Sequence, residues 1–274
     1  VGRKVVSGRF YLEDFDHERG VFRLSLNRPE LRNAFNDEMI EELISLISTL
    51  KEREDVRLVL LEGKGKAFCA GADLNWMKKM KGYSKEENKK DSERLAELFR
   101  SINELNKPVI GLVKGYTLGG GAGLVSVCDY VLASEDSQFG FTEVRLGLVP
   151  AVISPYVMAK IGESHARAFF LSGQIFGSRK ALEMGLVHDI ASEETYSESV
   201  EKLIKEFLKA GPQAAREAKG LIHKVRDLTR NGNKEKVTDY TCETISKIRI
   251  QDEGQEGMTS LLEKKTPSWI NKGS

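Results

Sequence analysis

Glycines crowd one short stretch of the chain, directly after an apolar run at positions 109–113; they are Gly119, Gly120, Gly121 and Gly123. A glycine inside a helix or strand costs about 0.5–1 kcal/mol relative to alanine, so this cluster indicates a sharp turn or a close approach by another group. The run before it predicts a buried strand, and the apolar residues after it predict a short helix. At such a turn, free N–H groups point outward from the positive end of the helix dipole. The glycines therefore predict an anion-binding turn built from main chain.

Two other interpretations of this turn stay open on the glycines alone. It could be a tight turn that only packs against a neighbouring element, or the phosphate-binding turn of a nucleotide site. The lysine and hydroxyl of a Walker loop are missing, and the spacing Gly119-x-Gly121-x-Gly123 differs from the dinucleotide pattern. In favour of a dinucleotide, Glu143 follows Gly123 by about twenty residues, near the position of a ribose-binding acid. The rest of the chain has to decide.

A second loop of small residues, at positions 62–73, follows another apolar run and also leads into helix-forming residues. Small side chains leave backbone N–H groups accessible, and one N–H group from each loop could converge on a single oxygen atom. Two such donors form an oxyanion hole, in which loss of one donor costs about 2.7–4 kcal/mol of transition-state stabilisation. A thioester carbonyl held there is polarised, so its α-proton becomes acidic and its β-carbon electrophilic. This chemistry also needs a base.

Short motifs lie in order along the chain: Arg28-Pro with Asn33-Ala34, Phe68-Cys-Ala-Gly-Ala-Asp-Leu74, Gly115-Tyr-x-Leu-Gly-Gly-Gly121, Cys128-Asp129, Phe139-Gly-x-x-Glu143, Gly147-Leu-x-Pro150, and Glu256-Gly-Met with Leu262-Glu-Lys-Lys-x-Pro-x-Trp269. In this order and at this spacing, the chain resembles the crotonase (enoyl-CoA hydratase/isomerase) superfamily over essentially its whole length. The resemblance implies an α/β fold, a crotonase-type spiral of ββα units with a C-terminal helical region that builds trimers.

The same resemblance implies the residues of the site. It places the oxyanion-hole N–H groups at Ala72 and Gly120, and it aligns Glu143 with one of the two glutamates of the hydratases. It places the contacts to the CoA portion of the substrate in the second loop, where Asp73 is also expected to cap the next helix. The substrate-binding residues implied in this loop are Lys66, Ala70, Gly71, Asp73 and Leu74.

The chain departs from the hydratase pattern at two positions. Gly123 stands where hydratases carry their other glutamate, and we expect it to leave room, and one negative charge fewer, where a substrate's own carboxylate would lie. Glu30 stands where many relatives carry a basic residue for the CoA phosphates, so Arg28 or Arg32 is expected to substitute. Lys264 in the C-terminal motif is a further candidate phosphate contact, although lone surface lysines are more often solvated.

Without the motif, Glu143 would be read as a surface or helix-capping acid. In the motif it is the expected proton-transferring group. The apolar neighbours Phe139, Phe141, Val144 and Leu146 should raise its pKa toward the operating pH. The histidines lie outside the motifs and are interpreted as structural.

One carboxylate leaves three chemistries open: hydration of a double bond, 3,2-isomerisation by a proton shuttle between C2 and C4, and decarboxylation or thioester hydrolysis. The segment 143–157 and Gly123 resemble the methylglutaconyl-CoA hydratase branch. We therefore expect a lyase that hydrates 3-methylglutaconyl-CoA or a related carboxylated or branched enoyl-CoA, in fatty acid or leucine catabolism. Its partner is an acyl-CoA thioester, and no separate cofactor is expected because coenzyme A enters as part of the substrate. Dinucleotide binding is the remote alternative.

The composition excludes several classes of partner. The chain has 274 residues, with 42 basic against 41 acidic ones and a net charge of +1, so no global field attracts nucleic acid or an anionic membrane. No apolar run approaches the ~20 residues that a membrane span needs. Three scattered cysteines predict neither a disulfide framework nor a zinc site, and no metal is expected. A reducing compartment fits, cytoplasmic or, for a processed eukaryotic chain, the mitochondrial matrix.

Strand signals vanish near residue 192. Before it, apolar runs predict strands at 10–12, 21–26, 56–61, 109–113, 130–132 and 187–190, with helices among them. After it, amphipathic patterns predict helices at 193–210, 212–228, 234–249 and 256–263. The lysine-rich segment 78–91 is predicted to be a mobile loop or a solvated helix start. We therefore divide the chain into an acyl-CoA-binding αβ core, 1–192, and a helical region, 193–274, that makes a homo-oligomer, a trimer or dimer of trimers.

Overall fold

The computed structural model describes residues 4–230 and 232–270 of the chain. Within these residues there are eleven β-strands in two sheets and ten α-helices. In this part of the chain, no helix combines the length and the apolar character that crossing a membrane requires.

The larger sheet has seven strands: β1 (Lys4–Ser7), β2 (Tyr11–Asp16), β3 (Val21–Leu26), β4 (Leu58–Gly63), β6 (Val109–Val113), β8 (Tyr130–Ser134) and β11 (Asp189–Ala191). They lie side by side in this same sequence. The pairs β1–β2 and β2–β3 are antiparallel, and every later pair is parallel. The central strands are apolar on both faces, as parallel strands covered on both sides must be.

The smaller sheet has four short strands: β5 (Ala67–Cys69), β7 (Tyr116–Leu118), β9 (Gln138–Gly140) and β10 (Phe176–Gly177). Their spatial order is β10-β9-β7-β5, with β5, β7 and β9 mutually parallel and β10 antiparallel to β9. Each of β4, β6 and β8 in the larger sheet is followed directly by β5, β7 or β9 in the smaller one. The chain thus alternates between the sheets in successive β–β units.

Helices follow these β–β units and continue to the C-terminal end: α1 (Asp37–Glu52), α2 (Leu74–Met80), α3 (Lys85–Asn103), α4 (Gly120–Val127), α5 (Ser154–Ser172), α6 (Ser178–Glu183), α7 (Tyr196–Leu208), α8 (Pro212–Arg230), α9 (Lys234–Ile250) and α10 (Asp252–Leu262). Side chains fix several of their starts. Asn36 accepts a hydrogen bond from the Met39 N–H at the start of α1, and Ser84 forms a capping box with Glu87 at the start of α3.

The two faces of the larger sheet are covered differently. One face packs with α1, α3, α4 and α5 into the main core, in which Phe22, Met39 and Phe99 are fully buried. The opposite face is covered by α7, whose Tyr196, Val200, Ile204 and Leu208 pack on strand residues of the other parity, such as Leu58 and Leu60. Alternation along the strands therefore builds two apolar layers from one sheet.

Charged side chains attach the C-terminal helices to the sheet. Lys219 of α8 lies buried, and its Nζ donates to Asp129 Oδ2 at 2.7 Å and to the carbonyl of Lys107 at 3.1 Å. Arg57, just before β4, donates to the carbonyl oxygens of Leu208, Ala210 and Trp269. The region after residue 192 is therefore docked on the core of its own chain.

The predicted elements agree with the structure at the long apolar runs and differ at charged and short segments. Strands β3 and β6 have the predicted bounds, and α7 to α10 lie within a few residues of theirs. The segment 78–91, predicted to be a mobile loop or a solvated helix start, is a helix start: it holds the end of α2, a short turn and the first two, largely exposed turns of α3. The division at residue 192 stays a prediction, although α7 packs on the sheet as an integral layer.

Candidate active site

Three adjacent parallel strands of the smaller sheet end at the same edge, and each leads into one predicted element of the site. β5 leads into the segment with Ala72, β7 into Gly119 and Gly120, and β9 into Glu143. The carboxyl ends of neighbouring parallel strands are the usual position of binding sites in α/β proteins. The topology thus brings together residues that are far apart in sequence.

The Ala72 N–H group points away from Phe35, the residue that forms backbone hydrogen bonds with Gly71 and Asp73 on either side of Ala72. Phe35 and Ala72 form an isolated parallel bridge, in which the Phe35 N–H donates to Gly71 O at 2.7 Å and the Asp73 N–H donates to Phe35 O at 2.8 Å. In such a bridge the central residue directs its own N–H to the opposite side. Ala72 is exposed, and its predicted role as an oxyanion donor requires an N–H that faces outward in this way.

The second donor lies at the first residue of α4. Gly119 has φ +52° and ψ −120°, which only glycine adopts without strain, and its N–H donates to Gly140 O at 2.9 Å. Gly120 then begins the helix, so its N–H lies in the first turn, where no intrahelical acceptor exists. A Cβ on Gly120 would lie 3.1 Å from the Phe35 ring, so a side chain at this position would press on that ring.

Glu143 lies against this glycine turn. It belongs to a short 3₁₀ helix, Thr142–Leu146, that follows β9. A Cβ built on Gly119 would be 3.2 Å from Glu143 Oε1 and 3.9 Å from the Gly71 Cα, so the carboxylate and both loops meet at one point. The site therefore combines main-chain donors with one acid.

The Glu143 carboxyl group is poorly solvated, and no charged side chain of the described residues pairs with it. It is half-buried, and its Oε2 atom is buried without a hydrogen-bond partner in the described part of the chain. Burial raises the pKa of Glu143 above its ordinary value, while the hydrogen bond from its own backbone acts in the opposite direction. A carboxylate of raised pKa without a fixed partner suits a group that takes and returns a proton.

Arg28 is used inside the fold, which contradicts its predicted contact with the CoA phosphates. Its Nη2 lies 2.6 Å from Asp73 Oδ2 and its Nη1 donates to Ala34 O at 2.9 Å, with only 14% of the side chain exposed. Asp73 caps α2 as predicted, accepting from the Asn75 N–H at 2.6 Å. Burial alone would raise the pKa of Asp73, but the hydrogen bonds from Asn75 and Arg28 and the charge of Arg28 lower it. With 4% exposure, the Asp73 side chain is a brace rather than a surface for a ligand.

The prediction that Gly123 leaves open space is wrong. A Cβ at this buried position would lie 2.4 Å from Ile153 Cγ2 and 2.9 Å from Phe99 Cζ. Both side chains belong to the main core. The position of the hydratases' other glutamate is therefore a packed apolar wall, and Gly123 offers nothing to a substrate.

The remaining predicted contacts lie on or near the surface. Lys66 and Leu74 are exposed, Ala70 is half-buried and donates its N–H to Arg32 O, and Gly71 is buried with φ +96°. Lys264 is exposed beyond α10. These roles stay predictions.

Two residues that shape the site had no predicted role: Phe35, and Asn33, which was noted only as part of a motif. Asn33 is fully buried with φ +55°; its amide donates to Lys64 O at 2.9 Å and Ala67 O at 2.8 Å, and its oxygen accepts from the Arg28 N–H. Phe35 makes the bridge to Ala72. A polar residue directly after Arg28-Pro-Glu-Leu-Arg was a visible signal for a turn, but its long-range partners were not. Among the described residues, no cluster of His, Cys, Asp and Glu could hold a metal ion.

Comparisons with known proteins show the family and the fold of this chain. The family model of enoyl-CoA hydratase/isomerase matches residues 16–272. The enoyl-CoA hydratase AKT6-1 of Alternaria alternata is 35% identical over 221 residues, which are 79% of this chain and 70% of that protein. Among solved structures, an enoyl-CoA hydratase from Shewanella pealeana has 36% identity and a TM-score of 0.89, covering 95% of this chain and 96% of its own. AtuE of Pseudomonas aeruginosa has 29% identity and a TM-score of 0.91, covering 96% and 100%.

These matches confirm the predicted α/β fold with its C-terminal helices. The methylglutaconyl-CoA branch is not among the findings, so it stays a prediction. The family model spans strands β3 to β11 and all ten helices of the described chain, including every strand end that leads into the site. The chain therefore belongs to the enoyl-CoA hydratase/isomerase family of enzymes.

Proposed function

We propose that this chain adds water to the double bond of an enoyl-CoA thioester. The observation that carries the proposal is the Glu143 carboxyl group, whose buried Oε2 atom has no hydrogen-bond partner among the described residues, lying against the turn that presents the Gly120 N–H. An acid in contact with an anion-binding turn is unfavourable for mere binding, but it suits proton transfer beside a developing enolate.

In the proposed reaction, the N–H groups of Ala72 and Gly120 hold the thioester oxygen. Glu143 takes a proton from a water molecule while the water oxygen bonds to the β-carbon, and the electrons of the double bond move onto the thioester oxygen as an enolate. The protonated Glu143 then returns a proton to the α-carbon, which restores the carbonyl. The sum is the addition of one water molecule, and coenzyme A is present only as part of the substrate.

We infer 3-methylglutaconyl-CoA, or a related carboxylated or branched enoyl-CoA, as the substrate. The packing at Gly123 removes the argument from open space. What supports the inference is the resemblance of segment 143–157 and the missing second acid. With Glu143 as its one acid, the site opposes a substrate carboxylate with less negative charge than a two-glutamate site would.

A 3,2-isomerase is the second candidate, and one observation favours it. The wall of Phe99 and Ile153 offers no polar group to hold an attacking water molecule at position 123. A single carboxylate can move a proton from C2 to C4 without water. With the family shown, no observation favours dinucleotide binding.

Labelled water separates the two candidates. The enzyme is incubated in ¹⁸O-labelled water with one of three thioesters: 3-methylglutaconyl-CoA, crotonyl-CoA or a 3-enoyl-CoA. The mass of each product is then measured by mass spectrometry. A hydratase gives a product heavier by one labelled water, with the glutaconyl compound preferred over crotonyl-CoA. A 2-enoyl product without label, together with no turnover of the glutaconyl compound, would replace hydration by isomerisation.

We also propose a homo-oligomer, a trimer or a dimer of trimers, built through the C-terminal helices. Support comes from large apolar side chains that are exposed there, including Ile250, Leu261 and Leu262, each at least 79% exposed. Analytical sedimentation measures the state, and a monomer would contradict the proposal.

A further inference from the structure

We propose that Arg28 is a positioning residue that fixes the direction of the Ala72 N–H group, acting through Asp73 and the carbonyl of Ala34. The inference rests on the proposed role of Ala72 as an oxyanion donor. It gives Arg28 a part in the reaction without contact to the substrate.

The Arg28 guanidinium joins the two segments that form the bridge beneath Ala72. Its Nη1 donates to Ala34 O at 2.9 Å, directly before Phe35, and its Nη2 lies 2.6 Å from Asp73 Oδ2, directly after Ala72. The two backbone hydrogen bonds between Phe35 and the Ala72 segment lie between these contacts. Arg28 therefore clamps both segments of the bridge with one planar, two-pronged group.

The segment needs this clamp because its own backbone is permissive. Gly71, the residue before Ala72, has φ +96° and no side chain to restrict rotation. A rotation there would swing the Ala72 N–H away from the thioester oxygen. Misplacement of a catalytic group by about 1 Å can cost on the order of 10²-fold in rate.

Arg28 is itself anchored. Its backbone N–H donates to Asn33 Oδ1 at 2.8 Å, and the Asn33 amide is tied to the carbonyls of Lys64 and Ala67 on both sides of the turn into β5. Through these hydrogen bonds, Arg28 holds the Ala72 segment in a fixed position relative to β5, the strand from which that segment emerges. A loose surface arginine would give no such reference.

Stability alone is a weak reason for this pair. A buried ion pair can often be replaced by apolar groups at no net cost, so its presence says little about folding free energy. The geometric role makes a different demand, because only a fork of donors reaches a carbonyl and a carboxylate in fixed directions.

The test compares Arg28→Gln with Arg23→Gln in the full-length enzyme. Arg23 makes a matched ion pair with Glu62 at 2.6 Å, away from the site. For Arg28→Gln we expect kcat to fall about 10–100-fold with KM within twofold, whereas Arg23→Gln keeps both. Affinity for acetoacetyl-CoA, whose enolate oxygen probes the donors, should fall by a similar factor, while affinity for free coenzyme A is unchanged.

Two further variants keep the test decisive if Arg28→Gln does not fold. Asp73→Asn keeps the helix cap, since asparagine is an equally good capping residue, but it loses the ion pair. It should show the same split between kcat and KM. Arg28→Lys keeps the charge but not the fork, so its kcat should lie between wild type and Arg28→Gln.

Different failures have different signatures. A raised KM with normal kcat, absent when dephospho-CoA thioesters are used, would make Arg28 a phosphate contact and overturn the inference. Equal behaviour of the Arg28 and Arg23 variants would leave Arg28 merely structural and also overturn it. If the wild-type enzyme itself does not bind acetoacetyl-CoA, the oxyanion hole and the proposed function fail, and this inference fails with them.

Discussion

At the edge where β5, β7 and β9 end, main-chain groups and close apolar contacts fix the geometry, whereas charged side chains attach α8–α10 to the sheet. Gly121 packs so closely on β5 that a Cβ there would lie 2.1 Å from Cys69 O. Lys219 and Arg216 of α8 reach back to the core with charged groups, and Arg57 of the core donates to carbonyl oxygens of the C-terminal region. The Arg28–Asp73 pair is a charged exception at the site, and both of its side chains are largely buried.

The difference follows from what each region must do. The site keeps the Glu143 carboxyl group free of cationic partners, because an ion pair would lower its pKa and hold its proton-accepting atoms. Main chain and apolar walls can position it without neutralising it. The C-terminal helices have no reactive group to protect, so ion pairs can hold them.

Among the substitutions that test this comparison, Glu143→Gln should have the largest effect, and that effect should be on catalysis. We expect kcat to fall about 10²–10⁴-fold, with little change in affinity for coenzyme A thioesters. Steady-state kinetics measure it, with Glu163→Gln on the exposed face of α5 as the control. Near-normal turnover of Glu143→Gln would contradict its role as the proton-transferring group.

The same variant should gain stability at neutral pH. A carboxyl group whose pKa is raised by burial favours folding fully only below its unfolded pKa, and that contribution is lost as the pH rises through the folded pKa. Glu143→Gln removes this loss, so the gap to wild type should close as the pH is lowered. Denaturant titrations at several pH values test it, and a gap that widens in acid would refute the assignment of the burial effect.

Lys219→Met should break the attachment of the C-terminal helices with an intermediate effect. The substitution keeps the apolar stem but removes the ammonium from Asp129 Oδ2, whose residue is about one-third exposed. We expect a loss of about 1–3 kcal/mol in unfolding free energy, below the 3–5 of a fully buried pair. The kcat per folded molecule should stay unchanged. A fall in kcat that accompanies the loss of unfolding free energy would show that the site and the C-terminal helices are not independent.

Lys209→Met sharpens the comparison with the smallest effect. Its ion pair with Glu206 at 2.7 Å is mostly solvent-exposed, so the variant should change the unfolding free energy by less than about 0.5 kcal/mol. Chemical unfolding of this variant alongside Lys219→Met measures both. A large effect at Lys209 would mean that burial does not distinguish the charged contacts of this region.

The sequence predicted what is local in the chain. The apolar runs of β3 and β6, the glycines that start α4 and the cap at Asp73 each act over a few residues. Such features leave a pattern in the residues themselves. Their positions in the fold match what the motifs implied.

What the sequence could not predict depends on partners far along the chain. Gly123 is open or filled according to Phe99 and Ile153, and Arg28 is free or clamped according to Asp73. Neither outcome follows from spacing, because both are set by how helices pack over strands. Of the two alternatives for the lysine-rich segment 78–91, the helix start holds, because Ser84 and Glu87 form a capping box that begins α3.

The packing of Phe99 and Ile153 around Gly123 also decides which substitutions at these positions leave a folded protein. A glutamate at position 123 alone collides with Ile153 and Phe99, so it would destroy the fold before it could add a function. Reducing either wall residue first leaves a cavity that costs about 2–5 kcal/mol and brings no catalytic return. A library that varies position 123 alone and is selected for folded protein should therefore return glycine. A library that varies positions 99, 123 and 153 together should also yield folded variants with a second carboxylate at position 123.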